Sequence, residues 1–273
     1  MKKIFKKYLP HQLVQYLMYL RNWEHNIYSL NTQININLDT NISDFFIWGK
    51  EFSKIEFVAE NLRALLSGKN IEVFHTFRFF SEDGEFIEEQ KFSSSKFFER
   101  IKINPIKTES KYISFTHFVD SEKSLKKILE EAGLIENKNI CEQNRGYTMY
   151  YPGNKNFGCS AHGNFGGISK NKLIRSKTNL KKHIYTSVYE YNKNSVYEIV
   201  FNNPTAKTIS IKILLNNSKE KIILELPSFG TRFFKVKNYR GSISFESNLP
   251  ICRPLIFKNP APNFEGNFDV FHS

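Results

Sequence analysis

Residues 159–168 read CSAHGNFGGI, which puts a thiol (Cys159), an imidazole (His162) and three glycines within ten positions. A thiolate beside an imidazole is the raw material of a nucleophile–base pair. Imidazole is also the commonest general base and metal ligand, and glycine lets a backbone take positive φ or approach a ligand closely. Two features count against catalysis here. Cys159 and His162 are local neighbours, whereas catalytic Cys/His partners come from separate parts of a fold, with a third group orienting the base. The glycines fit neither G-x-G-x-x-G between strand and helix nor a P-loop, and no G-x-S-x-G occurs. The stretch reads as a binding or packing loop.

Two further histidines sit in strand-like segments. In IEVFHTFRFF (71–80), alternation places Val73, His75, Phe77 and Phe79 on one face; in YISFTHFV (112–119), it places Ile113, Phe115, His117 and Val119 on one face. Both imidazoles therefore point to an apolar side. Joined by His162, they would form a three-histidine site for a divalent metal. That site would support a metal-assisted enzyme acting on a sugar or phosphorylated substrate. The sequence has no H-x-H spacing and no acidic residue placed to complete a facial triad. Histidines hydrogen-bonded within a core are the other reading.

Upstream of the glycines, RGYTMYYPGNKNFG (145–158) mixes aromatics with asparagines. Tyr147, Tyr150, Tyr151 and Asn164 are candidate glycan contacts, rings for sugar faces and amides for hydroxyls. The same aromatics could instead pack into a junction between domains. The run continues into SKNKLIRSKTNLKKH (169–183), which carries Lys170, Lys172, Arg175, Lys177, Lys181 and Lys182 and not one carboxylate.

That segment belongs to a wider asymmetry. Residues 1–136 hold 19 Lys+Arg and 19 Asp+Glu; subtracting from 39 and 27 leaves 20 basic and 8 acidic residues for 137–273. The net charge of +12 thus sits wholly in the second half. Codon bias toward lysine would load both halves, so it does not account for the difference. An anionic partner does: a charged glycan, an acidic protein surface or a membrane surface. No helix-turn-helix, zinc-finger or RRM signature is present, although non-specific nucleic-acid contact needs none.

The elements that must position these residues are mostly strands. IEVFHTFRFF, SEDG and EFIEEQKF form one hairpin pattern; ISIKILL, NNSKE and KIILEL (209–226) form another. Apolar strands precede each (55–59 and 197–201), and Ser95-Lys96-Phe97-Phe98 aligns with Thr231-Arg232-Phe233-Phe234 at an offset of 136. The expected fold is mainly β, two tandem immunoglobulin-like β-sandwich modules with a few short helices. Helix is expected in the N-terminal segment, with Leu9, Leu13, Leu17 and Leu20 in a stripe, over 59–68, and over 121–134 with Ser121 as N-cap. The domain reading is 1–30 helical, 31–136 first sandwich with closing helix, 137–183 connection, and 184–273 second sandwich with a Pro-rich extended end.

Three widely spaced cysteines (Cys141, Cys159, Cys252) without C-x-x-C argue for a reducing, cytoplasmic setting. No run of 18 apolar residues occurs, so no transmembrane helix is expected. Taken together, these features lead to a non-catalytic binding protein whose basic second half engages an anionic partner. The alternatives are the metal-assisted enzyme on His75, His117 and His162, and a phage-like structural component.

Overall fold

The computed structural model describes residues 41–133, 142–153, 158–169, 183–186, 189–204, 208–215, 221–247, 253–260 and 268–272. The expected N-terminal helix, Cys141, Cys252 and the basic residues 170–182 lie outside the described residues. In chain order come β1 (Asn41–Gly49), β2 (Lys54–Glu60), α1 (Leu62–Ser67), β3 (Val73–Phe80), β4 (Phe86–Ser94), β5 (Phe98–Lys102), β6 (Tyr112–Asp120), α2 (Leu125–Glu131), β7 (Glu142–Asn144), β8 (Gly146–Tyr151), β9 (Cys159–His162) and β10 (Asn164–Ser169). There follow β11 (His183–Thr186), β12 (Tyr197–Asn202), β13 (Ile209–Leu215), β14 (Lys221–Leu226), β15 (Thr231–Val236), β16 (Ile243–Ser247), β17 (Leu255–Lys258) and β18 (Asp269–His272).

These strands form four sheets. Sheet A has the order β10-β1-β6-β3-β4, with β7 added parallel to β1; sheet B is β5-β2-β8-β9. Sheet C is β11-β16-β13-β14, and sheet D is β15-β12-β17-β18. The protein is mainly β, and both expected hairpins form, β3–β4 and β13–β14. Sheets C and D repeat the strand order of β1-β6-β3-β4 over β5-β2-β8-β9. The short sequence motif does not mark that correspondence: Thr231–Phe234 all lie in β15, but only Phe98 of Ser95–Phe98 lies in β5.

Local signals place the two helices. The Asn61 side chain accepts from the Ala64 N–H at the start of α1, and Gly68 closes it at φ 67°. In α2 the N-cap is Ser124, whose hydroxyl accepts from the Lys127 N–H, and not Ser121 as expected. Ser124 wins because it stands one residue before the apolar stripe of Leu125, Ile128 and Leu129, all buried.

The region expected as a connection is structural. Residues 146–169 supply β8 and β9 to sheet B and β10 to sheet A. CSAHGNFGGI is therefore a strand, a one-residue corner and a second strand. Gly163 is that corner, and a Cβ there would fall 2.7 Å from the Phe46 ring. Gly146 likewise lies under Phe57, with a Cβ only 2.3 Å from the ring. Glycine here serves close backbone approach, not a ligand cradle.

Packing follows from alternation. Phe46 of sheet A meets Phe57 of sheet B edge-on at 4.9 Å, and Phe57 meets Phe77 at 5.2 Å. Phe201 of sheet D meets Phe245 of sheet C at 5.3 Å. Sheet D is apolar on both faces. Ile199 and Ile256 enter the cluster shared with sheet C, while their neighbours Val200, Leu255 and Phe257 enter the cluster built by sheets A and B. The Pro-rich C-terminal stretch, expected to run extended over the second sandwich, supplies β17 and β18 to this sheet.

A polar lock joins the same surfaces. Glu198, 1% exposed, accepts from the Tyr112 hydroxyl at 2.6 Å and from Lys111 at 2.9 Å. Burial and the Glu198 charge raise the Tyr112 pKa, so its hydroxyl stays protonated as a donor. Beside it the loop 227–230 clasps the β3–β4 turn. The Thr231 N–H and Arg232 Nη1 both donate to the Glu82 carbonyl, at 2.9 and 2.7 Å, and Arg232 Nη2 meets Asp83 at 2.6 Å. Gly84, at φ 83°, leaves no room for a side chain: a Cβ would fall 1.7 Å from the Ser228 carbonyl oxygen.

Glu198→Ala strands Lys111 and Tyr112 without their buried acceptor, and urea unfolding is expected to show a loss of about 3–5 kcal/mol. Gly84→Ala is expected to destabilise by about 2 kcal/mol or more, from backbone strain plus the collision with Ser228. Gly68→Ala shares the positive φ but meets nothing within 4 Å; its smaller loss in the same titration isolates the contribution of the clasp.

Candidate functional site

β3 and β6 are neighbours in sheet A, with His75 opposite Val119 and Phe77 opposite His117. The two inward histidines are thus diagonal on one face. Their Nδ1 (His75) and Nε2 (His117) lie 2.9 Å apart, and the rings stack at 5.2 Å with 16° between planes. Phe57 covers the His117 ring from sheet B at 4.5 Å, and Phe77 flanks it at 4.8 Å.

In either tautomeric arrangement one ring donates and the other accepts. The two outer nitrogens, His75 Nε2 and His117 Nδ1, are buried without a partner among the described residues. Burial pushes the His75 pKa down to about 4; Glu99 opposes this and Arg63 reinforces it. Burial, then the charge of His75, pushes the His117 pKa well below its ordinary value. At neutral pH the pair is an uncharged, hydrogen-bonded part of the core.

His162 does not join them. Ala161 is the inward residue of β9, so alternation turns His162 outward, where it is exposed on the edge strand of sheet B. No group of three His, Cys, Asp or Glu that could hold a metal ion occurs among the described residues. The expected three-histidine site is therefore corrected to a buried pair and a separate surface imidazole. Sequence alternation assigned the faces of β3 and β6 rightly but could not say on which sheet His162 would fall.

The thiol–imidazole pair fails for a related reason. Cys159 and His162 are three residues apart on one strand and so point to opposite faces. The Cys159 Sγ donates to the Phe268 carbonyl at 3.6 Å, and burial, then Asp269, pushes its thiol pKa up. A raised thiol pKa leaves less of the nucleophilic thiolate at neutral pH.

Most of the candidate glycan residues are engaged in packing. Tyr150 is 1% exposed and donates its hydroxyl to the Ile47 carbonyl at 2.8 Å. The Tyr151 hydroxyl donates to Glu56 at 2.6 Å, with Lys54 Nζ over its ring at 3.9 Å. Asn164 donates to Asn202 at 2.5 Å, and Asn202 donates to the Phe45 carbonyl at 3.0 Å. These three are corrected from ligand contacts to structural ones. Tyr147 stays 37% exposed, its ring 4.0 Å from that of His162.

The structure adds two residues that sequence reasoning missed. β18, the edge of sheet D, lies beside β9, the edge of sheet B, and His272 Nε2 donates to the His162 carbonyl at 2.9 Å. Arg253, exposed ahead of β17, acts electrostatically on His272: burial lowers that imidazole's pKa, the His162 carbonyl it donates to opposes this, and the guanidinium adds to the lowering. The only sequence signal was a histidine in the terminal FDVFHS. A separate 420 Å³ groove between α1 and α2 has Lys69 and Lys123 facing Glu72, Glu122 and Glu131 on its walls. Its mixed charge does not suit an anion.

No protein-family model and no curated protein matches this sequence. Among solved structures, similarity is found to the M60 catalytic domain with the CBM51-1 and CBM51-2 domains from Clostridium perfringens ZmpB, at 10% identity and a TM-score of 0.18. The match covers 75% of this chain and 31% of that one. A TM-score this low establishes no shared fold.

The histidine pair makes stability pH-dependent with a definite sign. An unfolded histidine binds its proton near pH 6.5, but folded His75 does so only near 4. Between those values the unfolded chain binds more protons, so stability falls as pH drops from about 6.5 to about 4. His75 alone corresponds to a loss of about 3 kcal/mol across that window. Urea titrations at steps through it are expected to show the decline, and His75→Leu combined with His117→Phe is expected to make it shallower, leaving the share due to His272.

Proposed function

We propose that this chain is a non-catalytic binding protein, built as two sandwich-like units, whose basic second half engages an acidic glycan. The observation that carries the reading is the charge division: 19 basic and 19 acidic residues before position 137, 20 and 8 after it. Eight carboxylates cannot neutralise twenty cations. Several of the eight are already engaged, Glu198 with Lys111 and Lys235, Glu246 with Lys212, and Glu190 with Arg240. The excess therefore favours an external anion. The repeated strand order of sheets A and B in sheets C and D supports the two-unit description. A glycan is favoured over an acidic protein or a membrane because an exposed tyrosine ring stands in the strands that precede the basic segment.

Binding to dextran sulfate is expected to weaken steeply as salt rises from about 0.1 to about 1 M, where the screening length shrinks from about 10 to about 3 Å. Replacing Lys170, Lys172, Arg175, Lys177, Lys181 and Lys182 by glutamine is expected to reduce it at least about tenfold at the lower salt. Undiminished binding by that variant overturns the proposal. So does a wild-type protein that prefers polyglutamate or phosphatidylserine vesicles to dextran sulfate in the same titration.

A further inference from the structure

We infer that the seam where β9 meets β18 is a subsite for a sugar bearing a carboxylate or sulfate, formed by Tyr147 and His162 on one side and Arg253 and His272 on the other. This rests on the glycan reading above and names the place where the sugar sits.

Four observations converge on the seam. Tyr147 and His162 are cross-strand partners in register, and both side chains point away from the core that takes Thr148 and Ala161. Their rings lie 4.0 Å apart at 43°, which offers a pyranose an aromatic surface beside a polar imidazole. The His162 main chain is fixed from the opposite sheet by the 2.9 Å bond from His272 Nε2. Register places His272 opposite Leu255, which brings Arg253, two residues earlier, past the end of β18.

Arg253 has no carboxylate partner among the described ion pairs and lies within electrostatic reach of His272, as does His162. A guanidinium in that position presents a planar fork of donors, suited to a carboxylate or sulfate. The ring of the sugar would lie on Tyr147, and its hydroxyls would meet the His162 imidazole. No single sheet holds this set: Tyr147 and His162 come from sheet B, and Arg253 and His272 from the segment and strand that form sheet D. The seam differs from the basic segment in chemistry, since it combines an aromatic surface with one cation where the segment has charge without aromatics.

The test is calorimetric titration of the full chain with tetragalacturonate, dextran sulfate fragments and neutral maltotetraose. Tyr147→Ala and Arg253→Gln alter exposed side chains, and unchanged thermal unfolding of each would verify that the fold is intact. Each variant is expected to lose about tenfold or more in affinity for the acidic sugar that wild type prefers, the scale of one charge-assisted or stacking contact. Preference for tetragalacturonate would identify a carboxylate, and preference for dextran sulfate a sulfate; either supports the subsite if both variants weaken it. If wild type binds acidic sugars in a way that depends on the lysines, yet both variants bind as wild type does, the subsite is wrong and the broader reading stands. If maltotetraose binds as well as the acidic sugars, the acidic subsite is rejected.

Discussion

Sheet D has two apolar faces, and the rest of the molecule is arranged around that fact. Along β12, Ile199 faces one core and Val200 the other; along β17, Ile256 and its neighbours Leu255 and Phe257 divide in the same way. A strand read at period two normally has a wet side, and this one does not. The second pair of sheets therefore cannot separate from the first without exposing Val200, Leu255, Phe257 and Val270 to water. The clasp of loop 227–230 on the β3–β4 turn and the Glu198 lock act on an association that apolar burial already drives.

The buried polar groups fall into two kinds. Glu198 is satisfied from several directions, by Tyr112, Lys111 and, at 3.6 Å, Lys235. Such a network adds less to stability than apolar packing of equal volume would, but it penalises any other docking of sheet D on β6. The histidine pair is only half satisfied, with one hydrogen bond between the rings and two outer nitrogens without partners among the described residues. It is tolerated because the imidazoles stay neutral, and the surrounding Phe57 and Phe77 keep them so. The same buried, uncharged arrangement makes the pair an acid-sensitive element of sheet A.

Cationic excess is confined to residues after 136, and the exposed Tyr147 ring of sheet B belongs to that same half of the chain. At one edge, where β18 runs beside β9, the Tyr147 and His162 rings lie next to His272. Rigid docking of sheet D is what holds Arg253 and His272 near His162. The interface that stabilises the fold is therefore the same feature that assembles the seam.

Much of this was legible along the chain. Both hairpins, the inward faces of β3 and β6, the approximate place of α1 and α2 and the one-sided charge all follow from alternation, capping residues and counting, which depend only on near neighbours. Strand partnership does not. Residues 146–169 looked like a connection because glycines and aromatics obscured the period-two pattern, and only their pairing with strands a hundred residues earlier makes them part of sheets A and B. Tyr150, Tyr151 and Asn164 carry suitable groups for a ligand, but Ile47, Glu56 and Asn202 use them first. The sequence by itself determined which residues are apolar, which way they alternate and where the charge lies. Tertiary structure decided which strands pair and which polar groups find partners inside the protein, because those contacts join residues far apart in the chain.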